Sequence, residues 1–489
     1  NSAPLLVASL KEQGVLLELP LHMGRESCHS RPITIRNSCT KQMFILMKVI
    51  DLNILVIGNG FDLAIGWPTK YADFLNFIKL FRFAYNTEDY QKARIPKDCI
   101  GDFNNRMDRY PIKDEKEKLE KLKPFWDRFS NALKLGEANQ VFRDFHFCIY
   151  NNCWIRYFEY RYDEQLIAGE NWIDLEKEIK EAIKVLENDA IVIVNSESFF
   201  NASYEVNNTI KDLIEKIQGG KKENRKYHLS AEAYAKLRSS LICEFDKFVM
   251  ALGIYLDFFV KHIYTGDIVP DDISNLVRKK EGKIDHVLSF NYVNNYNKYS
   301  GINENENNTC YVHGAVNYIK QLHKYIQKNQ IDNYNQDTIK EIIERNKMII
   351  GFDEYRDDDA KNKQLDFIYY RKYFQRILKG TGSQYLKWLG QNELNNIYIF
   401  GCSLDATDKE IIKDLFLRKP VHTKIKIYYH DEEAHKRMIT NLISILTQEK
   451  VIEMTSGINP DIEFVAQTSG KNNTSIKERN MPILPIELA

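Results

Sequence analysis

Four points in this chain place glycine or a polar side chain directly after a short apolar run. Gly58-Asn59-Gly60 follows residues 54–57, and Asn291 follows 287–290. His313-Gly314 follows 310–312, and Gly401-Cys402-Ser403 follows 396–400. Each residue type has a definite chemistry. A Gly-x-Gly turn lets backbone approach a pyrophosphate without side-chain interference, and N–H groups at a helix start favour an anion. By itself the turn also reads as a tight strand-to-helix connection. An imidazole with an ordinary pKa near 6.5 can take a proton at neutral pH, which is the work His313 could do. The Asn291 carboxamide could orient a hydroxyl or a water. Asp62, two residues after the glycines, could bind a substrate hydroxyl or steer water, or bond the N–H groups of its own turn.

Other candidates carry weaker signals. Asp405 and Asp408 stand before a helical stretch at 409–416, where capping is the plain reading. With Asp62 and Asp353 they could instead hold a divalent metal, as a nuclease or phosphohydrolase requires. Glu176 reads as a helix-surface carboxylate or as an acid reaching the site. Cys402 reads as a small buried hydrophobe before it reads as a nucleophile.

The elements that must position these groups follow from periodicity. Residues 54–57 form a continuous apolar run ended by glycine, as in a parallel strand buried on both faces. Phe74, Phe77, Ile78 and Phe81 fall at helical spacing within 71–83. From about 85 to 280 the sequence turns charged and helical. Leu175, Ile179, Ala182, Ile183 and Leu186 share one face of a helix over 174–186, and 231–263 form a second long helical stretch. A polar loop at 219–225 separates them. The alternation of strands and helices then returns, with strands expected at 287–290, 310–312, 348–350, 396–400 and 424–429. The expected fold is therefore α/β: a Rossmann-like parallel sheet built from 47–84 and 281–469, carrying a large helical insertion at 85–280. In an open parallel sheet, ligands sit at the carboxyl ends of the strands. Gly58, Gly60, Asn291, His313 and Ser403 would converge on that edge.

Bulk properties narrow the class. The 489 residues carry 68 basic and 68 acidic side chains, so no overall charge favours a polyanion or an anionic membrane surface. The eight cysteines include no Cys-x-x-Cys pair, which fits reduced thiols in a cytoplasmic protein better than a zinc or redox motif. No apolar run reaches the length of a membrane span, and 248–256 reads as a buried helix. Residues 1–46 lack a regular period and the layout of a signal peptide. They are expected to be an extension or cloning remnant outside the fold, or else an arm that packs on another subunit. Residues 303–309 read as a loop and 470–489 as a flexible tail.

Five separated motifs add a resemblance. Gly58-Asn-Gly-Phe-Asp-Leu-Ala-Ile-Gly-Trp-Pro-Thr-Lys-Tyr-Ala-Asp-Phe74 resembles the signature of the AbiH family of bacteriophage abortive-infection proteins. Trp172-Ile-Asp-Leu-Glu176, Ser289-Phe-Asn-Tyr292, Val312-His-Gly314 and Gly401-Cys-Ser-Leu-Asp-Ala-Thr-Asp408 resemble its further segments, in order. The family is more distantly similar to sirtuin-like NAD-binding domains, in which a glycine turn, a Gly-x-Pro stretch, an Asn, a His-Gly and a Gly-x-Ser turn succeed one another. That resemblance implies NAD as substrate or ligand, with no metal. It implies contacts from Gly58, Asn59, Gly60, Phe61, Pro68, Gly314, Gly401 and Ser403. Asn291, His313 and Asp62 would act at the nicotinamide ribose. The sequence departs from the pattern at three positions. Asp62 stands where sirtuins carry a small hydroxyl residue, Val293 where they carry Asp, and Cys402 where the AbiH pattern commonly has His. The four-cysteine zinc module is missing, which speaks against protein deacetylation. The implied function is an antiphage effector that hydrolyses NAD to nicotinamide and ADP-ribose. The alternatives are a module that senses NAD or ADP-ribose without turnover, and a metal-dependent nuclease. A phage-derived trigger and self-assembly are the further partners this reading invokes.

Overall fold

A computed structural model describes residues 52–84, 123–186, 191–193, 227–263, 283–293, 295–296, 308–329, 335–352 and 365–467. The extension at 1–46, the loop at 219–225, most of the loop at 303–309, Asp353 and the tail at 470–489 lie outside the described residues.

The strands, in chain order, are Leu52–Ile57 (β1), Ile191–Ile193 (β2), Tyr227–Leu229 (β3), His286–Ser289 (β4), Thr309–Tyr311 (β5), Leu394–Phe400 (β6), Lys424–Tyr429 (β7) and Ile462–Ala466 (β8). Among the described residues, strands β2 and β3 pair only with each other. The remaining six form one sheet in the order β5-β4-β1-β6-β7-β8, and every pairing is parallel. Progress along the sheet therefore reverses at β1. In doubly wound α/β sheets that reversal opens the crevice at the carboxyl edge where ligands bind. The expected α/β class holds.

The sheet is covered on both faces, and β1 shows why its sequence is apolar throughout. Leu55 and Ile57 face one core and Ile54 and Val56 the other, as the two-residue period of a strand requires. The first core continues without a break into the helices Tyr71–Ala84, Ala138–Ile149, Cys153–Ile167 and Ala231–Ile254. Phe74, Phe77, Ile78 and Phe81 are all fully buried there. Phe77 lies 4.6 Å from Phe259 and Phe81 4.8 Å from Phe145, ring centre to ring centre. The second core holds the helices Tyr385–Leu389, Lys409–Leu417 and Glu432–Leu446.

The long stretch from Ala231 is helical to Ile263, with one π turn at Tyr255–Phe259, and 248–256 is buried within it. One strand expectation needs correction. Residues 348–350 are buried but form no strand. Their N–H groups serve other partners: Ile349 N–H donates to the His313 carbonyl at 2.8 Å and Ile350 N–H to Gln375 Oε1 at 3.3 Å. A buried apolar triplet satisfies the hydrophobic signal without joining a ladder. Conversely, β2 and β3, within the stretch expected to be helical, and β8 went unforeseen; as an edge strand β8 has only Ile462 buried and its apolar signal is thin. No described helix is long and apolar enough to cross a membrane.

Candidate active site

The carboxyl edge is organised by two glycine turns pressed against each other. Gly58 N–H donates to the Phe400 carbonyl at 3.1 Å, and Gly60 N–H to the Gly401 carbonyl at 2.8 Å. Gly401 has φ of +67°, and a Cβ there would lie 2.2 Å from Phe61 N. These glycines are thus demanded by backbone packing between the ends of β1 and β6, and two of the amides that the phosphate reading assigns are already bonded. Asn291 joins the same knot from the end of β4: its Nδ2 donates to the Gly58 carbonyl at 3.0 Å. The side chain is buried and positions the turn.

The other expected contacts disperse. Asn59 is exposed and accepts from Thr69 Oγ1 at 2.6 Å. Phe61 is fully buried, edge-on to Tyr296 and Phe400. The Pro68 carbonyl accepts from Tyr255 Oη at 2.7 Å, in the π turn. Ser403 is exposed, and its carbonyl accepts from Asn441 Nδ2 at 3.0 Å. Asp62 is buried and accepts from Asn295 Nδ2 at 2.8 Å. Burial pushes its carboxyl up to about 7, against the lowering effect of that hydrogen bond.

The most developed cluster of charge lies at the end of β5. His313 is buried, and its Nε2 lies 3.1 Å from Asp408 Oδ1. Its Nδ1 is buried with no hydrogen-bond partner among the described residues. The ring stands between Phe290, at 5.7 Å, and Tyr292, at 6.4 Å. Behind it the chain is fixed by Gly314, whose φ is +71° and where a Cβ would lie 1.9 Å from the Lys347 carbonyl oxygen. Only glycine allows segment 347–350 to pass so close and hold the His313 carbonyl.

Asp408 also accepts from Lys372 Nζ at 3.2 Å, and Lys372 reaches Glu176 Oε2 at 2.9 Å. Lys372 is 1% exposed, so this is an ion triad removed from bulk water. Burial opposes its charge, but Asp408 and Glu176 outweigh that and raise its pKa. Burial likewise works against the Asp408 carboxylate, yet Lys372 and His313 hold it far below the usual carboxylate range. Glu176 goes the other way: burial pushes it up to about 7 despite Lys372, with Asp408 adding repulsion. Burial lowers His313, opposed by Asp408. At neutral pH the cluster therefore contains a neutral imidazole, a firm carboxylate, a firm ammonium and a carboxyl poised to change state.

The capping reading of Asp405 holds, since it accepts from Thr407 N–H at 3.0 Å. Asp408 makes no cap bond and belongs to the cluster. Glu176 reaches it as well, from the first turn of Leu175–Val185, whose N-cap is Asp174. Cys402 is a buried thiol that burial raises to about 12, in keeping with a packing role. Sequence reasoning missed Lys372. Its signal was a polar stripe on Lys372–Lys379: Lys372 and Gln375 face inward while Ile377 and Leu378 are 78% and 60% exposed. A helix packed polar side inward defeats an apolar-face search.

The family model for bacteriophage abortive infection AbiH matches residues 54–429, which include both glycine turns and the cluster around His313. The chain belongs to the AbiH family. No curated protein and no solved structure matches it. Membership sets the protein in bacteriophage abortive infection, and within this AbiH chain the match includes Glu176, His313, Lys372 and Asp408 together with both glycine turns.

Proposed function

We propose that this AbiH protein hydrolyses the N-glycosidic bond of NAD or a closely related nucleotide, with His313 as general base. The observation that supports it is the buried His313 ring near the carboxyl edge of a doubly wound sheet, held through Nε2 by Asp408, with a buried Nδ1 that has no hydrogen-bond partner among the described residues. Nicotinamide leaves as a neutral ring, so the barrier lies in forming an oxocarbenium-like ribose. Nδ1 takes a proton from the attacking water or from a ribose hydroxyl. The imidazolium so formed is stabilised by Asp408, the division of labour that makes an acid–histidine pair an effective base. The reading rests on this end of the site, since the Gly58 and Gly60 amides are engaged within the protein. Asn291 serves it by fixing the turn.

Incubating the purified protein with NAD and following free nicotinamide by chromatography tests the proposal. Release in wild type that disappears in His313→Ala supports it. Tight NAD binding without nicotinamide under any trigger points to a sensing module instead, and chelator-sensitive nucleic-acid cleavage to a nuclease. Full release from His313→Ala overturns the assignment.

A further inference from the structure

Glu176 belongs to the helices that the chain inserts between β1 and β4, whereas His313 and Asp408 follow strands of the sheet. The two parts meet in one row of contacts: Glu176 Oε2 to Lys372 Nζ at 2.9 Å, Lys372 Nζ to Asp408 Oδ1 at 3.2 Å, and Asp408 Oδ1 to His313 Nε2 at 3.1 Å. A single carboxylate oxygen thus serves both the ammonium and the imidazole. Whatever draws Lys372 toward Glu176 leaves that oxygen a better acceptor for His313.

We propose that Glu176 is a positioning residue for His313: by sharing Lys372 with Asp408 it sets how strongly Asp408 holds the imidazole, so the inserted helices and the sheet form one proton-handling unit. The inference takes from the proposed function only that His313 is the group that carries the proton. Several charged or titratable groups among the described residues bear on the row, including the Cys402 thiol, which burial and then Asp408 raise. Asp408 and Lys372 lie in it, Arg376 bears on His313 from the next turn of the Lys372 helix, and Asp174 bears on Glu176 from its N-cap. Tyr292 and Tyr71 flank it as neutral phenols, both raised by burial first and by Glu176 after it, with Tyr71 more strongly affected by Tyr292. Among the described residues, the ammonium in contact with both carboxylates is Lys372.

The test is the titration of the His313 imidazole, followed by proton–carbon NMR and assigned by the signal lost in His313→Gln. Glu176 titrates at about 7 and is ionised over the alkaline part of the His313 titration; Glu176→Gln removes that charge without changing its shape, leaves Lys372 wholly to Asp408, and moves the His313 pKa down. Lys372→Met frees Asp408 from the ammonium, and the His313 pKa moves up. Glu176→Asp moves it less than Glu176→Gln. A role confined to packing predicts shifts of the same sign, or none, in the first two variants. An unmoved His313 titration in folded Glu176→Gln overturns the inference, as does a downward shift in Lys372→Met. If either variant fails to fold, the other decides alone through the sign of its shift. Because the readout needs no turnover, loss of the hydrolase reading and loss of this inference are separate outcomes.

Discussion

Asp408 Oδ1 stands 3.1 Å from Nε2 of His313, across a gap of 95 residues in the chain, and leaves Nδ1 as the ring nitrogen with no hydrogen-bond partner among the described residues. Replacing the carboxylate by an amide keeps the shape and removes the charge that stabilises a protonated ring. Asp408→Asn is expected to cut nicotinamide release by roughly two to four orders of magnitude, with NAD affinity little changed. Measuring kcat and KM separately checks this, and a defect confined to KM contradicts it.

Lys372 holds the two carboxylates together out of water. Lys372→Met leaves Asp408 and Glu176 without the ammonium that bridges them, and breaking such a buried set from one side costs about 3–5 kcal/mol. Adding Glu176→Gln removes one of the stranded charges and should restore part of the loss. Chemical denaturation of the two variants and the double variant reads this directly. Additive losses would show that the groups are not coupled.

The contact between the glycine turns predicts a contrast between two positions of similar backbone. Gly380 has φ of +62° with open space where a Cβ would go, so Gly380→Ala costs about 1 kcal/mol of left-handed strain. Gly401→Ala meets the same strain and also drives a Cβ into the Gly60–Phe61 backbone. Its thermal midpoint should fall well below that of Gly380→Ala, and equal midpoints would contradict the packing described.

Asp62 makes stability depend on pH. Its carboxyl rises from 3.8 to about 7 on burial, so between those values the folded chain keeps a proton that the unfolded chain has lost. The contribution is full below the unfolded pKa and is lost as pH rises through about 7. Glu176, raised to about 7, acts in the same sense. Wild type should therefore lose stability on passing from about pH 5 to about pH 8, and Asp62→Asn should lose less over that interval. Thermal midpoints at the two pH values decide it, and identical slopes would rule out Asp62 as the source.

The sequence alone determined the strand-ending residues and the class of fold. Those signals are local: β1 is apolar because both its faces are buried, and Gly58, Gly60, Gly314 and Gly401 stand where chain must pass chain. It also pointed to His313, because a polar residue after a buried strand falls on the carboxyl edge whatever the details. Tertiary structure decided which groups the histidine works with. Asp408 reads as a cap and Glu176 as a surface carboxylate until Lys372 is found between them, and Lys372 sits on a helix whose polar side faces inward. Nothing in local periodicity encodes that choice, because a charge is buried only where its partners, distant in sequence, offset the loss of water. Asp62 shows the converse. Its place beside the glycine turn was plain from spacing, but its carboxyl is directed to Asn295, a pairing that depends on where β4 delivers the chain.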